Sequence, residues 1–131
     1  MGILTIDHIV LTVKSVDASK YFYCDILGME YEEFMSEEST KPRACLKFGN
    51  QKINLHQIDN LIHPGANNPT TGSADICFTS NKNVKEWILI FEKENIDIVK
   101  GPVDQLGAIK QLNSIYVRDP DLNLVEIANY K

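Results

Sequence analysis

SADICFTS, residues 73–80, decides the fold, because it writes for a second time a strand already met near the start of the chain. Ile76 and Phe78 alternate with Asp75, Cys77 and Thr79, the period-two pattern of a strand with two chemically different faces. TIDHIVLTV, residues 5–13, has the same pattern: Ile9, Leu11 and Val13 on one face, His8, Val10 and Thr12 on the other. Setting DHIVLT (7–12) on ADICFT (74–79) puts His8 on Asp75. A histidine and an aspartate then hold one structural position in two copies of a unit.

Working outward, each copy has the same order of elements. SVDASKYFYCDILGM (15–29) carries Asp17 near its start, apolar Ala18, Phe22 and Ile26, and Gly28 just past its end, which predicts a helix with a glycine stop. MEYEEFM (29–35) reads as a strand, SEESTKP (36–42) as a polar loop, and RACLKFGNQKINLHQI (43–58) as two strands joined through Gly49-Asn50. In the second copy NVKEWILIFEKEN (83–95) predicts a helix with Val84, Ile88 and Phe91 on one face, and Trp87 beside them as core or dimer contact. IDIVKGPV (96–103) reads as a strand, and LNSIYVRDPDLNLVEIANY (112–130) as a hairpin turning at 119–121. The fold class is α+β, two β-α-β-β-β modules whose sheets are expected to curl into a cup. The first module spans 1–58, a Pro/Gly-rich joint 59–72, and the second module 73–131, all within one domain.

Composition narrows the function classes. The 131 residues carry a net charge of −5 with no lysine or arginine cluster, so a nucleic-acid partner has no electrostatic footprint. No segment approaches a membrane span, and MGILTIDH lacks the basic flank and apolar run of a signal peptide. Three widely spaced cysteines, Cys24, Cys45 and Cys77, favour reduced thiols and a cytoplasmic protein, with Cys77 in phase with Asp75.

The candidate site follows from strand phase. In KINLHQ, Ile53 and Leu55 take the helix side, so Asn54 and His56 face the other way with His8. In LNLVEIANY, Val125 and Ile127 take the helix side and Glu126 the opposite one. The repeat matches Glu126 either to Asn54 or, two residues later, to His56. Two imidazoles and two carboxylates on inner faces are costly unless paired or coordinating. Imidazole and carboxylate are the donors wanted by Zn²⁺, Fe²⁺, Mn²⁺ or Ni²⁺. The expected metal ligands are His8, His56 and Glu126, with Asp75 as a further candidate, and the expected substrate contacts are Asn54, Tyr116 and Arg118. Hydrogen-bonded carboxylate–histidine pairs without metal are the alternative. His63, before Pro64, is read as surface loop.

These residues resemble the vicinal oxygen chelate superfamily, which includes glyoxalase I, fosfomycin-resistance proteins, bleomycin-binding proteins and extradiol dioxygenases. The resemblance spans the chain through DHIVLTVKSVDASKYFYCDILGM, FGNQKINLH, GSADICF and SIYVRDPDLNLVEIANY, and is nearest to small single-domain glyoxalase-domain or virulence-type proteins carrying NLH and GSAD. It implies a small divalent-metal enzyme of glyoxalase I-like lyase or isomerase type, with Glu126 or Asp75 as the catalytic base, acting on a small oxygen-bearing substrate and assembled as a homodimer. Its ligand positions fall on His8, on Asn54 with His56 one pleat further, on Asp75 and on Glu126. A metal-free protein sequestering a drug or aromatic compound, and an extradiol-type dioxygenase, are the rival implications.

Overall fold

The computed structural model describes residues 2–37 and 41–131, so residues 38–40 of the predicted loop at 36–42 lie outside the described residues. It divides into two compact units, one ending at Thr71 and the other running Gly72–Lys131, and the joint segment belongs with the first. Each unit holds one four-stranded mixed sheet. Among the described residues no helix is long and apolar enough to cross a membrane.

In the first unit, β1 (His8–Val13) leads to α1 (Val16–Lys20), followed by β2 (Glu30–Phe34), β3 (Arg43–Phe48) and β4 (Gln51–Gln57), in the sheet order β1-β4-β3-β2. Strands β1 and β4 are parallel and the remaining pairs antiparallel. Leu11, Val13, Leu46, Ile53 and Leu55 form the buried face, which packs with Phe22 and Tyr23 into one core. Ser15 caps α1, its hydroxyl accepting the Ala18 N–H at 3.1 Å.

The first helix departs from the predicted regular pattern. Residues Tyr21–Ile26 continue α1 as a π-helix, with the Leu27 N–H donating to the Phe22 carbonyl five residues back. The wider turn lets two consecutive rings, Phe22 and Tyr23, both be buried, edge to face at 4.9 Å, while Ala18 is exposed. Gly28 ends the segment at φ +87°, the left-handed stop its sequence position suggested.

The second unit repeats the order: β5 (Asp75–Thr79), α2 (Val84–Lys93), β6 (Lys100–Leu106), β7 (Gln111–Arg118) and β8 (Leu124–Tyr130), with sheet order β5-β8-β7-β6 and β5 parallel to β8. Helix α2 buries Val84, Trp87 and Phe91 against β7 and β8. Trp87 is therefore core: it stacks on Phe91 at 5.8 Å and donates its indole N–H to Ser80 Oγ at 2.9 Å. Asn129 of β8 fastens the helix start, its Oδ1 accepting the Val84 N–H and its Nδ2 donating to the Ser80 and Lys82 carbonyls.

The strand expected over 96–103 instead occupies Lys100–Leu106. Gly101-Pro102 inserts one extra residue between the pairs Lys100↔Tyr116 and Val103↔Ser114, and Pro102 has no N–H to donate to the ladder. Gly101 sits at φ +107°, and a Cβ there would run into the Ser114 carbonyl and approach Ile115 Cα at 3.0 Å. Gly101→Ala is expected to cost about 2 kcal/mol from positive-φ strain and overpacking, read as a lowered urea midpoint with unchanged slope.

Candidate functional site

The two parallel pairs have the same register, and this resolves the alternative left open by the repeat. In the first unit Val10 stands opposite Asn54; in the second Cys77 stands opposite Glu126. Since His8 precedes Val10 by two residues and Asp75 precedes Cys77 by two, the matched positions are His8 with Asp75 and Asn54 with Glu126. His56 stands opposite Thr12, four residues along the ladder from the His8 row. That is about 13 Å of strand rise, at the limit of what two imidazoles can span through one ion at ~2 Å from each. The structure does not bring His56 to His8, and Asn54 is the nearer partner.

His8 is exposed, and its Nδ1 lies 2.7 Å from the Asp7 carboxylate. An imidazole that donates Nδ1–H to a carboxylate presents Nε2 as a lone-pair donor, the orientation seen around metal-bound histidines. Asp7 was not singled out in the sequence, although its place immediately before His8 was the available signal. Two residues further along the same face, Asn54 is buried at 7% exposure, and its Oδ1 has no hydrogen-bond partner among the described residues. A buried, unsatisfied amide oxygen is an uncommon feature that a bound ligand or water would relieve.

The second sheet gathers its functional groups in one register row. Cys77, Glu126, Tyr116 and Lys100 lie side by side across β5, β8, β7 and β6. The Lys100 ammonium lies 5.8 Å from the Tyr116 ring centre. Burial, followed by a hydrogen bond to Glu126 and the charge of that carboxylate, pushes the Tyr116 hydroxyl up to about 12. Burial, then the charge and hydrogen bond of Glu126 and the charge of Asp75, push the Cys77 thiol up to about 12. Both groups therefore stay protonated at neutral pH and serve Glu126 as donors. Arg118, expected to face a substrate, is exposed and donates to the Leu122 carbonyl at 3.3 Å, closing its own hairpin turn.

A cavity of about 530 Å³ lies in the first unit, where the ends of β2, β3 and β4 meet the start of α1 and residues 60–63. It takes in His56 and also His63, which is exposed but lines this hollow as well as belonging to the loop. The His56 imidazole is held below its usual range by burial and by the Arg43 charge, so it is neutral at pH 7. Among the described residues no cluster of three His, Cys, Asp or Glu side chains is poised for a metal ion.

The family model of the Glyoxalase/Bleomycin resistance protein/Dioxygenase superfamily matches residues 5–127. The chain belongs to this superfamily. It is similar to virulence protein STM3117 of Salmonella typhimurium, 42% identical over 95% of this chain and 83% of that protein. The crystal structure of STM3117 superposes with a TM-score of 0.92, covering all of both chains. It is also similar to the glyoxalase domain-containing protein RDO1 of Mycosarcoma maydis, 37% identical over 100% of this chain and 71% of that one. Metallothiol transferase FosB of Staphylococcus epidermidis is 30% identical over 97% and 82% of the two chains. Within the superfamily one scaffold serves several chemistries, so membership fixes the fold and leaves activity to the site.

Proposed function

We propose that this chain is a small divalent-metal-dependent enzyme of glyoxalase I-like lyase or isomerase type, acting on a small oxygen-bearing substrate. The observation that carries the reading is the 2.7 Å Asp7–His8 pair, which leaves the far nitrogen of His8 as a donor. Members of the superfamily typically use divalent metals, and FosB carries metal-dependent thiol transfer in its name. His8 and Glu126 are assigned as metal ligands, with Asp75 and the unsatisfied Asn54 oxygen as further donors to ion or substrate. His56, in the row of Thr12, is left out of this ligand set. When bound, Zn²⁺, Ni²⁺, Mn²⁺ or Fe²⁺ would polarise substrate oxygens and stabilise negative charge developing on them.

The chain's own residues supply the proton chemistry. A carboxylate takes the substrate proton: Glu126, or Asp75 on the neighbouring strand two residues before the Glu126 row. Tyr116, kept protonated, donates a hydrogen bond either to Glu126 or to a substrate oxygen. The three thiols fit a reducing cytoplasm, and the assembly is proposed to be a homodimer.

Elemental analysis by mass spectrometry, on protein purified without chelators and then reconstituted with each of the four ions, tests this reading. Near-stoichiometric metal is expected in the parent and at least a tenfold lower content in His8→Ala, with circular dichroism unchanged. Equal occupancy in both proteins would remove His8 from the site. Absence of metal from the reconstituted parent would overturn metal dependence and favour a sequestering protein.

A further inference from the structure

The bulge in β6 aims a lysine at the candidate site. From Val103, which stands opposite Ser114, regular pairing would set Gly101 opposite Tyr116 and turn Lys100 to the other face of the sheet, because side chains alternate along a strand. The extra residue at Gly101-Pro102 shifts the count by one, so Lys100 stands opposite Tyr116 instead. Its ammonium lies 5.8 Å from the Tyr116 ring centre, on the face that Tyr116 shares with Glu126. The packing of the sheet does not call for this lysine: it is exposed, and it forms no ion pair among the described residues.

The row is therefore charged at its two ends and neutral between. Glu126, with Asp75 two residues before its row, makes the β5 and β8 end negative, Lys100 makes the β6 end positive, and the protonated Tyr116 hydroxyl lies between them. The backbones of β8 and β6 stand about 10 Å apart, two strand spacings, so a molecule of a few carbon atoms reaches from one end to the other. An anionic group is repelled at the Glu126 end and attracted at the Lys100 end, whereas a hydroxyl or carbonyl oxygen finds its partners at Glu126 and Tyr116. Arg118 is committed to the Leu122 carbonyl of its own turn. We propose that Lys100 is a specificity-determining residue that binds the carboxylate of a small oxygen-bearing acid, holding the opposite, oxygen-bearing end of that acid at Glu126 and Tyr116. The inference rests on the reading of Glu126 as part of the site, and it names the charge of the substrate that site takes.

Amide NMR titration of the full-length protein, with and without Zn²⁺, tests the proposal with two probes: 4-hydroxybutanoate and its neutral isostere 4-hydroxybutanamide. Saturable shifts are expected for the acid at Lys100–Gly101, Tyr116–Val117 and Glu126–Ile127, with the amide about fivefold weaker. Lys100→Met, which keeps the stem and removes the charge, is expected to bring the acid down to the affinity of the amide and to leave the amide unchanged, and Lys100→Arg to restore the preference. The spectra report whether each variant remains folded. Metal content of reconstituted Lys100→Met is expected to equal that of the parent, whereas His8→Ala lowers it, so the two readings fail separately. Absence of saturable shifts in both forms, equal binding of acid and amide to the parent, or a preference for the acid that survives in folded Lys100→Met would overturn the proposal.

Discussion

Cys77 is expected to react with iodoacetamide at pH 8 about 10- to 100-fold more slowly in the folded protein than in the urea-unfolded chain, although it is solvent-exposed. The thiolate is the nucleophile, and a thiol near 12 is about 10⁻³ as ionised at pH 8 as one near 9. The greater intrinsic reactivity of a more basic thiolate returns part of that factor, roughly 20-fold over three pH units at the usual Brønsted slope. Glu126→Gln removes the charge that opposes ionisation after burial, and labelling should then accelerate several-fold, read by intact-mass spectrometry. Labelling of folded parent as fast as the unfolded chain would show that neither burial nor Glu126 holds the Cys77 thiol protonated. The linkage has a definite sign. The folded-state values of Cys77 and Tyr116 lie above their usual 9 and 10, so stability is unaffected below about pH 9 and falls from there toward pH 12, as the unfolded chain ionises first.

The second large effect is expected at the turn between β7 and β8. Asn123 is 1% exposed; its Oδ1 accepts the Ala74 N–H at 2.9 Å and its Nδ2 donates to Asp119 Oδ2 at 2.8 Å. The other Asp119 oxygen accepts the N–H groups of Asp121 and Asn123. With the Leu124 N–H donating to the Ala74 carbonyl, this knot ties the start of β5 to the turn and sets the height at which Asp75 leaves its strand. Asn123→Ala deletes one charge-assisted and one neutral hydrogen bond and strands a partly buried N–H, a loss of about 3 kcal/mol. Chemical denaturation should register it as a lower midpoint, and a change under 1 kcal/mol would mean that the turn re-forms without its side-chain anchor. Asn123→Asp, which keeps an acceptor for Ala74 but opposes Asp119, should be no better.

The fold was legible because alternation over five or six residues is a direct consequence of strand geometry, and both SADICFTS and TIDHIVLTV carry it without interruption. What escaped depends on single-residue offsets. The π-helical turns at 21–26 add a residue without changing composition, and the bulge at Gly101-Pro102 moves the strand away from the apolar residues Ile96, Ile98 and Val99 that suggested it. The candidate site was legible by face and not by row. Asn54 and His56 have the same parity, so alternation places both on the His8 side, and only the parallel register distinguishes them. For Arg118 parity gives a strand face but not the course of a side chain at a strand end, where its guanidinium donates to the Leu122 carbonyl of the following turn. The cavity around Arg43 could not be foreseen, because it joins β2, β3 and β4 to residues 60–63, segments whose mutual approach is nowhere written in a local pattern.

The place of each candidate donor within its sheet has a mechanical consequence. β1 and β5 are the outer strands of their sheets, each hydrogen-bonded there to a single neighbour, whereas β4 and β8 are held on both sides. Opening an outer strand breaks one ladder, while opening an inner one breaks two, so the local free energy of displacement is smaller at His8 and Asp75 than at Asn54 and Glu126. Each unit thus mounts one donor stiffly and one compliantly. Within each unit, strain applied to the sheet is therefore taken up first at its outer strand and last at the inner one.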